Sequence, residues 1–174
     1  MAAWSRCAVM AVLLSVAACS GGRGSSSAAA STHELTGAMA PAFELEPVGG
    51  GESVGPGKFQ GKVVVVDFWA TWCEPCRESF PAYQRLVDKF GGRLVVLGVS
   101  VDEDESGILA FKADTGVSFP LVWDREQSVA GAYKPAKMPT SYVVDQKGLI
   151  RHVHEGFNPG DDAEIERIVT SLLE

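Results

Sequence analysis

From Pro41 onward the chain alternates between two hydrophobic patterns, short unbroken runs and stripes spaced by three and four. Val63 to Trp69 is apolar except for Asp67, and Leu94 to Val101 is a second run of the same kind. Valine-rich runs of this length predict strands buried on both faces, as at the centre of a sheet with helices on each side. Between them Phe80, Tyr83, Leu86, Val87 and Phe90 recur at helical spacing, and Gly91-Gly92 supplies a stop. Asp102 to Asp104 predicts the cap of a helix running through Asp114 and ended by Gly116. Phe119 to Trp123 reads as a short strand, and Ser128 to Tyr133 as a short helix before Pro135. Thr140 to Asp145 and Leu149 to Glu155 form a hairpin about Gln146-Lys147-Gly148. Asp161 to Leu173 closes the chain as a helix with Ile165, Ile168, Val169 and Leu172 on one face. Ahead of these elements, Ala42 to Glu46 alternates as a half-buried strand would, and Gly49 to Gly51 suggests a hairpin or loop. The order predicts an α/β fold: a mixed central sheet, helices on both faces, and an added N-terminal strand or hairpin. There is no internal repeat.

The chain before Pro41 differs in kind. Met1 to Arg6 carries one positive charge and leads into an apolar run, Cys7 to Ala18. That run is shorter than the roughly 20 residues a spanning helix needs. A basic start, an apolar centre and small residues at its end predict a secretory signal peptide over residues 1–18. Its end, Val16-Ala17-Ala18-Cys19, resembles the lipobox of bacterial lipoproteins, which implies cleavage before Cys19 and lipidation of its sulfur. Cys7 would be lost with the leader. Ser20 to Ala40 holds Gly, Ser and Ala with little that could pack, so residues 19–40 are expected to be the lipidated cysteine and a flexible tether. Such a tether reaches about 25 Å. The domain is expected over residues 41–174, outside the cytoplasm and anchored to a bacterial membrane. By the sorting rule of Gram-negative lipoproteins, Ser20 points to the outer membrane.

Composition narrows the function classes. With 46% hydrophobic and 21% charged residues, the 174-residue chain can build one ordinary core. A net charge of -7, with the 15 Lys and Arg scattered, offers no cluster for nucleic acid. Of four cysteines two fall in the leader, so Cys73 and Cys76 cannot make a disulfide-stapled framework.

Those two cysteines carry the chemistry, in Asp67-Phe68-Trp69-Ala70-Thr71-Trp72-Cys73-Glu74-Pro75-Cys76. A pair two residues apart can form a small disulfide ring, bind a metal, or do neither. A buried strand delivers the chain to Cys73 and a helix begins there. Unpaired N–H groups and the macrodipole at a helix start favour negative charge, so the first thiol should ionise readily. The thiolate is the attacking species in disulfide exchange. Cys76, one turn in, should be more buried and act as the resolving thiol. Pro75 suits a first helical turn, where its missing N–H costs nothing.

The block Phe68 to Cys76, the leading strand after Gly61-Lys62, and Met138 to Ile150 resemble the thioredoxin-like thiol-disulfide oxidoreductases of the ResA and TlpA type. The resemblance runs from about Pro41 to the C-terminus. It implies a thioredoxin fold, a redox-active Cys73–Cys76 disulfide, and no cofactor. Met138-Pro139-Thr140 resembles the family's cis-proline segment, which packs against the disulfide while the residue before the proline hydrogen-bonds the substrate chain. Trp72 matches a position bordering that substrate groove, and Trp69 one that packs inside. Glu74 matches a residue that tunes the thiols. Asp67 matches the buried aspartate that helps deprotonate the resolving cysteine. Thioredoxins place a lysine on the following strand near that aspartate, whereas Leu94 to Val101 has none. An isolated buried carboxyl has a raised pKa. Asp67 could equally make only a structural hydrogen bond.

The Glu-Pro pair resembles the reducing sub-group, which implies a reductase of exported protein disulfides such as apocytochrome c cysteines. Its electrons would come from a membrane donor of the DsbD or CcdA kind, and the protein would act as a monomer. An oxidant or isomerase of exported proteins is the alternative. Copper delivery by the two thiols is chemically feasible, but Sco-type copper proteins space their cysteines by three residues. Peroxidases of the peroxiredoxin class resemble one another in Pro-x-x-x-Thr-x-x-Cys, and Val66 and Ala70 occupy those positions before Cys73. His152 and His154 share a strand face, which fits half a metal site or two strand residues meeting solvent; no metal is expected. His33 falls in the expected tether.

Overall fold

The computed structural model describes residues 33–174 and Met1. The expected signal peptide, Cys7, Cys19, Ser20 and most of the expected tether lie outside the described residues.

The first hydrophobic run forms β1 (Val63–Trp69), buried along its whole length, with successive side chains alternating between two cores. Val63, Val65 and Trp69 enter the core that holds α1 (Glu74–Phe90), α2 (Ile108–Thr115) and α4 (Asp162–Leu173). Val64, Val66 and Phe68 enter the other, with α3 (Ser128–Tyr133) and the N-terminal segment. Both faces of the sheet are therefore covered, which is why this strand reads as an unbroken apolar run.

With β2 (Leu94–Ser100), β3 (Leu121–Trp123), β4 (Thr140–Val144) and β5 (Ile150–Glu155), β1 makes a five-stranded sheet in the order β3-β2-β1-β4-β5. β1 pairs parallel with β2 and antiparallel with β4, so the sheet is mixed, as expected. At Gly98 of β2 an added Cβ would lie 2.5 Å from Leu121 and 3.2 Å from the Trp69 indole nitrogen. Only glycine lets β2 pass this close to both neighbours.

α1 starts at Cys73 and stops at Gly91, whose positive φ of 56° suits glycine and whose N–H reaches the Val87 carbonyl. Its apolar stripe buries Phe80, Tyr83, Leu86 and Phe90. Pro81 sits inside the helix and removes the N–H that would have reached Arg77.

Three expectations are corrected. α2 begins at Ile108 and not beside Asp102, because Asp102 turns back to the loop after β1 and Asp104 bonds Ser106. Ala42 to Glu46 is no continuous strand; a single bridge joins Leu45 to Val54 across the glycine turn. Pro41 and Pro47 flank it and lack N–H donors for a longer ladder. The ordered unit also starts before Pro41. Gly37 and Ala40 donate to Ile150 and Gly148, and the Ile150 N–H donates to Ala38, so residues 37–40 line the start of β5. His33, expected in a tether, packs edge-on to Tyr142. No helix among the described residues is long and apolar enough to cross a membrane.

Candidate active site

The site forms where β1 ends and α1 begins. Between them the loop Ala70 to Trp72 is pinned by Asp102, just past the end of β2. Its carboxylate accepts the Thr71 N–H at 3.1 and 3.0 Å and the Thr71 hydroxyl at 2.8 Å. It also accepts the Ser100 hydroxyl at 2.7 Å, while its carbonyl takes the Trp123 indole N–H at 2.8 Å. The parallel pairing of β1 and β2 brings these strand ends level, Trp69 opposite Ser100. Asp102 was read from the sequence only as a helix cap. An acidic residue directly after a buried parallel strand was the available signal.

Cys73 is the N-cap of α1, and its Sγ accepts the Cys76 backbone N–H at 3.2 Å. A sulfur in this position satisfies one of the free donors of the helix start, and those donors favour the thiolate over the thiol. Cys73 and Cys76 are joined as a disulfide with their Cα atoms 5.3 Å apart. Cys76 is fully buried, and Cys73 keeps a slight exposure. Glu74 and Pro75 occupy the exposed first turn. Trp72 is 71% exposed beside the pair, whereas Trp69 is enclosed by Phe80 and Phe111 at 4.8 and 4.5 Å between ring centroids.

The Met138–Pro139 peptide is cis. Antiparallel pairing of Thr140 with Phe68 sets this segment alongside the end of β1 that leads to Cys73. Pro139 and Thr140 are buried, and Met138 is half-buried. The Pro139 carbonyl accepts Gly156 N–H at 2.7 Å, while among the described residues Met138 makes no backbone hydrogen bond. A free main-chain edge can accept an extended peptide as an extra strand.

Asp67 is fully buried on the α1 side of β1. Burial pushes its carboxyl up to about 7, and the Ser141 hydroxyl, which donates to it at 2.6 Å, offsets part of that rise. A serine has one proton to give, so the Tyr83 hydroxyl, 2.6 Å from Ser141 Oγ, donates in turn. Burial, followed by the nearby Asp67 charge, drives the Tyr83 phenol well above its ordinary value. Asp67 Oδ2 has no hydrogen-bond partner among the described residues. The partner that sequence reasoning sought on β2 is thus supplied as a neutral hydroxyl by β4.

A separate group lies at the β5 edge of the sheet. His152 and His154 of β5 are met by Glu164 of α4, with one ligand atom from each within 4.8 Å of the other two. The sequence showed the histidine pair but not its third member, which arrives from another element. The dithiol can exchange electrons with another thiol pair; this second group can hold a metal ion.

Residues 36–153 match the model of the AhpC/TSA family. The chain is 32% identical to the thiol-disulfide oxidoreductase ResA of Geobacillus kaustophilus over 81% of this chain and 80% of that one. It is 34% identical to the thioredoxin-like protein YneN of Bacillus subtilis over 69% and 71%. A solved structure from Chlorobium tepidum, assigned as thiol:disulfide interchange protein DsbE, superposes with a TM-score of 0.75. It covers 80% of this chain and 98% of its own at 31% identity.

Proposed function

The chain belongs to the AhpC/TSA family and is a thiol-disulfide oxidoreductase; from that premise we propose that it acts outside the cytoplasm as a reductase of exported protein disulfides, apocytochrome c cysteines among them. The observation that carries this reading is the position of Cys73, N-cap of α1 with its sulfur on the Cys76 N–H. In the reduced enzyme Cys73 is the thiolate and attacks one sulfur of a substrate disulfide. The substrate's other sulfur leaves as thiolate and takes a proton. The Cys76 thiol then loses its proton and attacks Cys73 Sγ, which closes the ring and releases the substrate as a dithiol.

Asp67 is the proton acceptor for Cys76 in this scheme. A carboxyl that titrates near neutrality can take and return a proton at working pH. Met138, Pro139, Thr140 and Trp72 form the groove in which the substrate chain lies, bound through its backbone. Glu74 places a carboxylate beside Cys73 and tunes its reactivity, and Pro75 stiffens the turn between the sulfurs. Cys19 carries the lipid anchor, and a membrane donor of the DsbD or CcdA kind returns the electrons.

The test is the reduction potential of the Cys73–Cys76 pair, read by tryptophan fluorescence in dithiothreitol or glutathione buffers. A value near about -270 mV or lower supports a reductase, and one near about -120 mV makes the protein an oxidant.

A further inference from the structure

Away from the dithiol, the first turn of α4 sets a carboxylate against two imidazoles of β5. We propose that His152, His154 and Glu164 form a binding site for one divalent transition-metal ion of the zinc class. His152 and His154 point to the same side of β5, where Glu164 reaches them from the first turn of α4. Glu164 Oε1 lies 4.0 Å from His152 Nε2, and Oε2 lies 3.7 Å from His154 Nδ1. Both distances are too long for hydrogen bonds. They are close to what a shared ion requires, because ligands each about 2.0–2.1 Å from zinc stand no more than about 4 Å apart.

Two further observations point to a ligand. His152 Nε2 is buried and has no hydrogen-bond partner among the described residues. Such a nitrogen costs free energy unless something takes its lone pair. The second is the support behind His154. Its Nε2 lies 3.1 Å from Asp161 Oδ2, and that oxygen accepts the Asn158 backbone N–H at 2.7 Å and its side-chain amide at 3.1 Å. In metal sites an imidazole hands its far N–H to a carboxylate in this way, which fixes the ring and its tautomer. With the proton on Nε2, the Nδ1 lone pair of His154 faces Glu164. Two imidazoles and one carboxylate suit zinc and its neighbours, whereas calcium and magnesium prefer all-oxygen sets. Glu164 is half-exposed, so the fourth position opens to solvent. A bound ion would tie the edge strand β5 to α4.

The experiment is Zn²⁺ calorimetry on the full chain with Cys73–Cys76 held as the disulfide, paired with the visible spectrum of Co²⁺ as a stand-in. One Zn²⁺ per chain is expected, raising Tm, with a Co²⁺ spectrum free of thiolate charge-transfer bands. H152Q, H154Q and E164Q should each weaken binding about tenfold or more, and D161N about 10–100-fold through the ring it orients. Metal-free Tm values show whether each variant folds. E164Q replaces a half-exposed helix residue and decides the matter even where a histidine variant does not fold. Absence of stoichiometric uptake, a thiolate spectrum, or uptake that E164Q leaves unchanged overturns the site.

Discussion

Replacing Asp67 with asparagine keeps the shape of the side chain and an oxygen to accept the Ser141 hydroxyl, and removes the titration. It also puts an amide nitrogen where Oδ2 has no partner, a cost that does not vary with pH. A carboxyl that titrates at 3.8 in the unfolded chain and at about 7 in the folded one binds its proton more tightly when folded. Its contribution to stability is therefore complete below pH 3.8 and is lost as the pH rises through about 7. At about 1.4 kcal/mol per pH unit of separation, the whole loss comes to about 4 kcal/mol. Between pH 5 and pH 8 the wild-type disulfide form should lose about 2 to 3 kcal/mol from this group. Urea unfolding followed by tryptophan fluorescence measures it, as the difference in pH dependence between wild type and D67N, in which the other carboxyls cancel. D67N should be flatter by that amount. Equal pH slopes in the two proteins would refute the argument that burial holds the Asp67 proton.

Four other outcomes are expected. Cys76→Ser should stop exchange at a mixed disulfide on Cys73, visible as a reducible adduct by mass spectrometry, whereas Cys73→Ser should form no adduct. Asp102→Ala strips the loop of its acceptor and should cost about 2–4 kcal/mol in urea unfolding. It should also slow turnover through loss of Cys73 positioning. Gly98→Ala drives a methyl into Leu121 and the Trp69 indole. It should cost about 1–3 kcal/mol, with a shifted tryptophan emission. Trp72→Ala removes an exposed ring and should leave Tm nearly unchanged while raising KM for a protein disulfide.

How far each feature was legible depended on whether one stretch of chain carried it. β1 and β2 announced themselves because strands covered on both faces need apolar residues at every position. The helix stripes and the β4–β5 hairpin were legible for the same local reason. The start of α2 was misread because Asp102 has two uses, cap or loop anchor, and only the sheet register decides between them. The Ala42 to Glu46 alternation was real, but alternation does not guarantee a partner strand. Residues 37–40 looked like linker because their bonds to β5 are made by the backbone, which composition does not reveal. The dithiol with Glu74 and Pro75 was fully legible, being one continuous segment. The partners of Asp67 came from β4 and α1, and the third residue of the histidine group from α4. Neither set has a sequence spacing to read.

The bonds from Gly37 and Ala40 to the start of β5 also govern how the domain bears force. The turn they grip is at the far end of the sheet from Cys73, since Val144 pairs with Val64 at the beginning of β1. Tension applied at residue 33 meets three main-chain hydrogen bonds to Gly148 and Ile150 before it can act on β1. Those bonds join the outermost strand, so the first part to peel would be the segment ahead of Pro41. The sulfurs, about 20 Å away along a seven-residue strand, would keep their geometry under a pull that already strips the N-terminal segment.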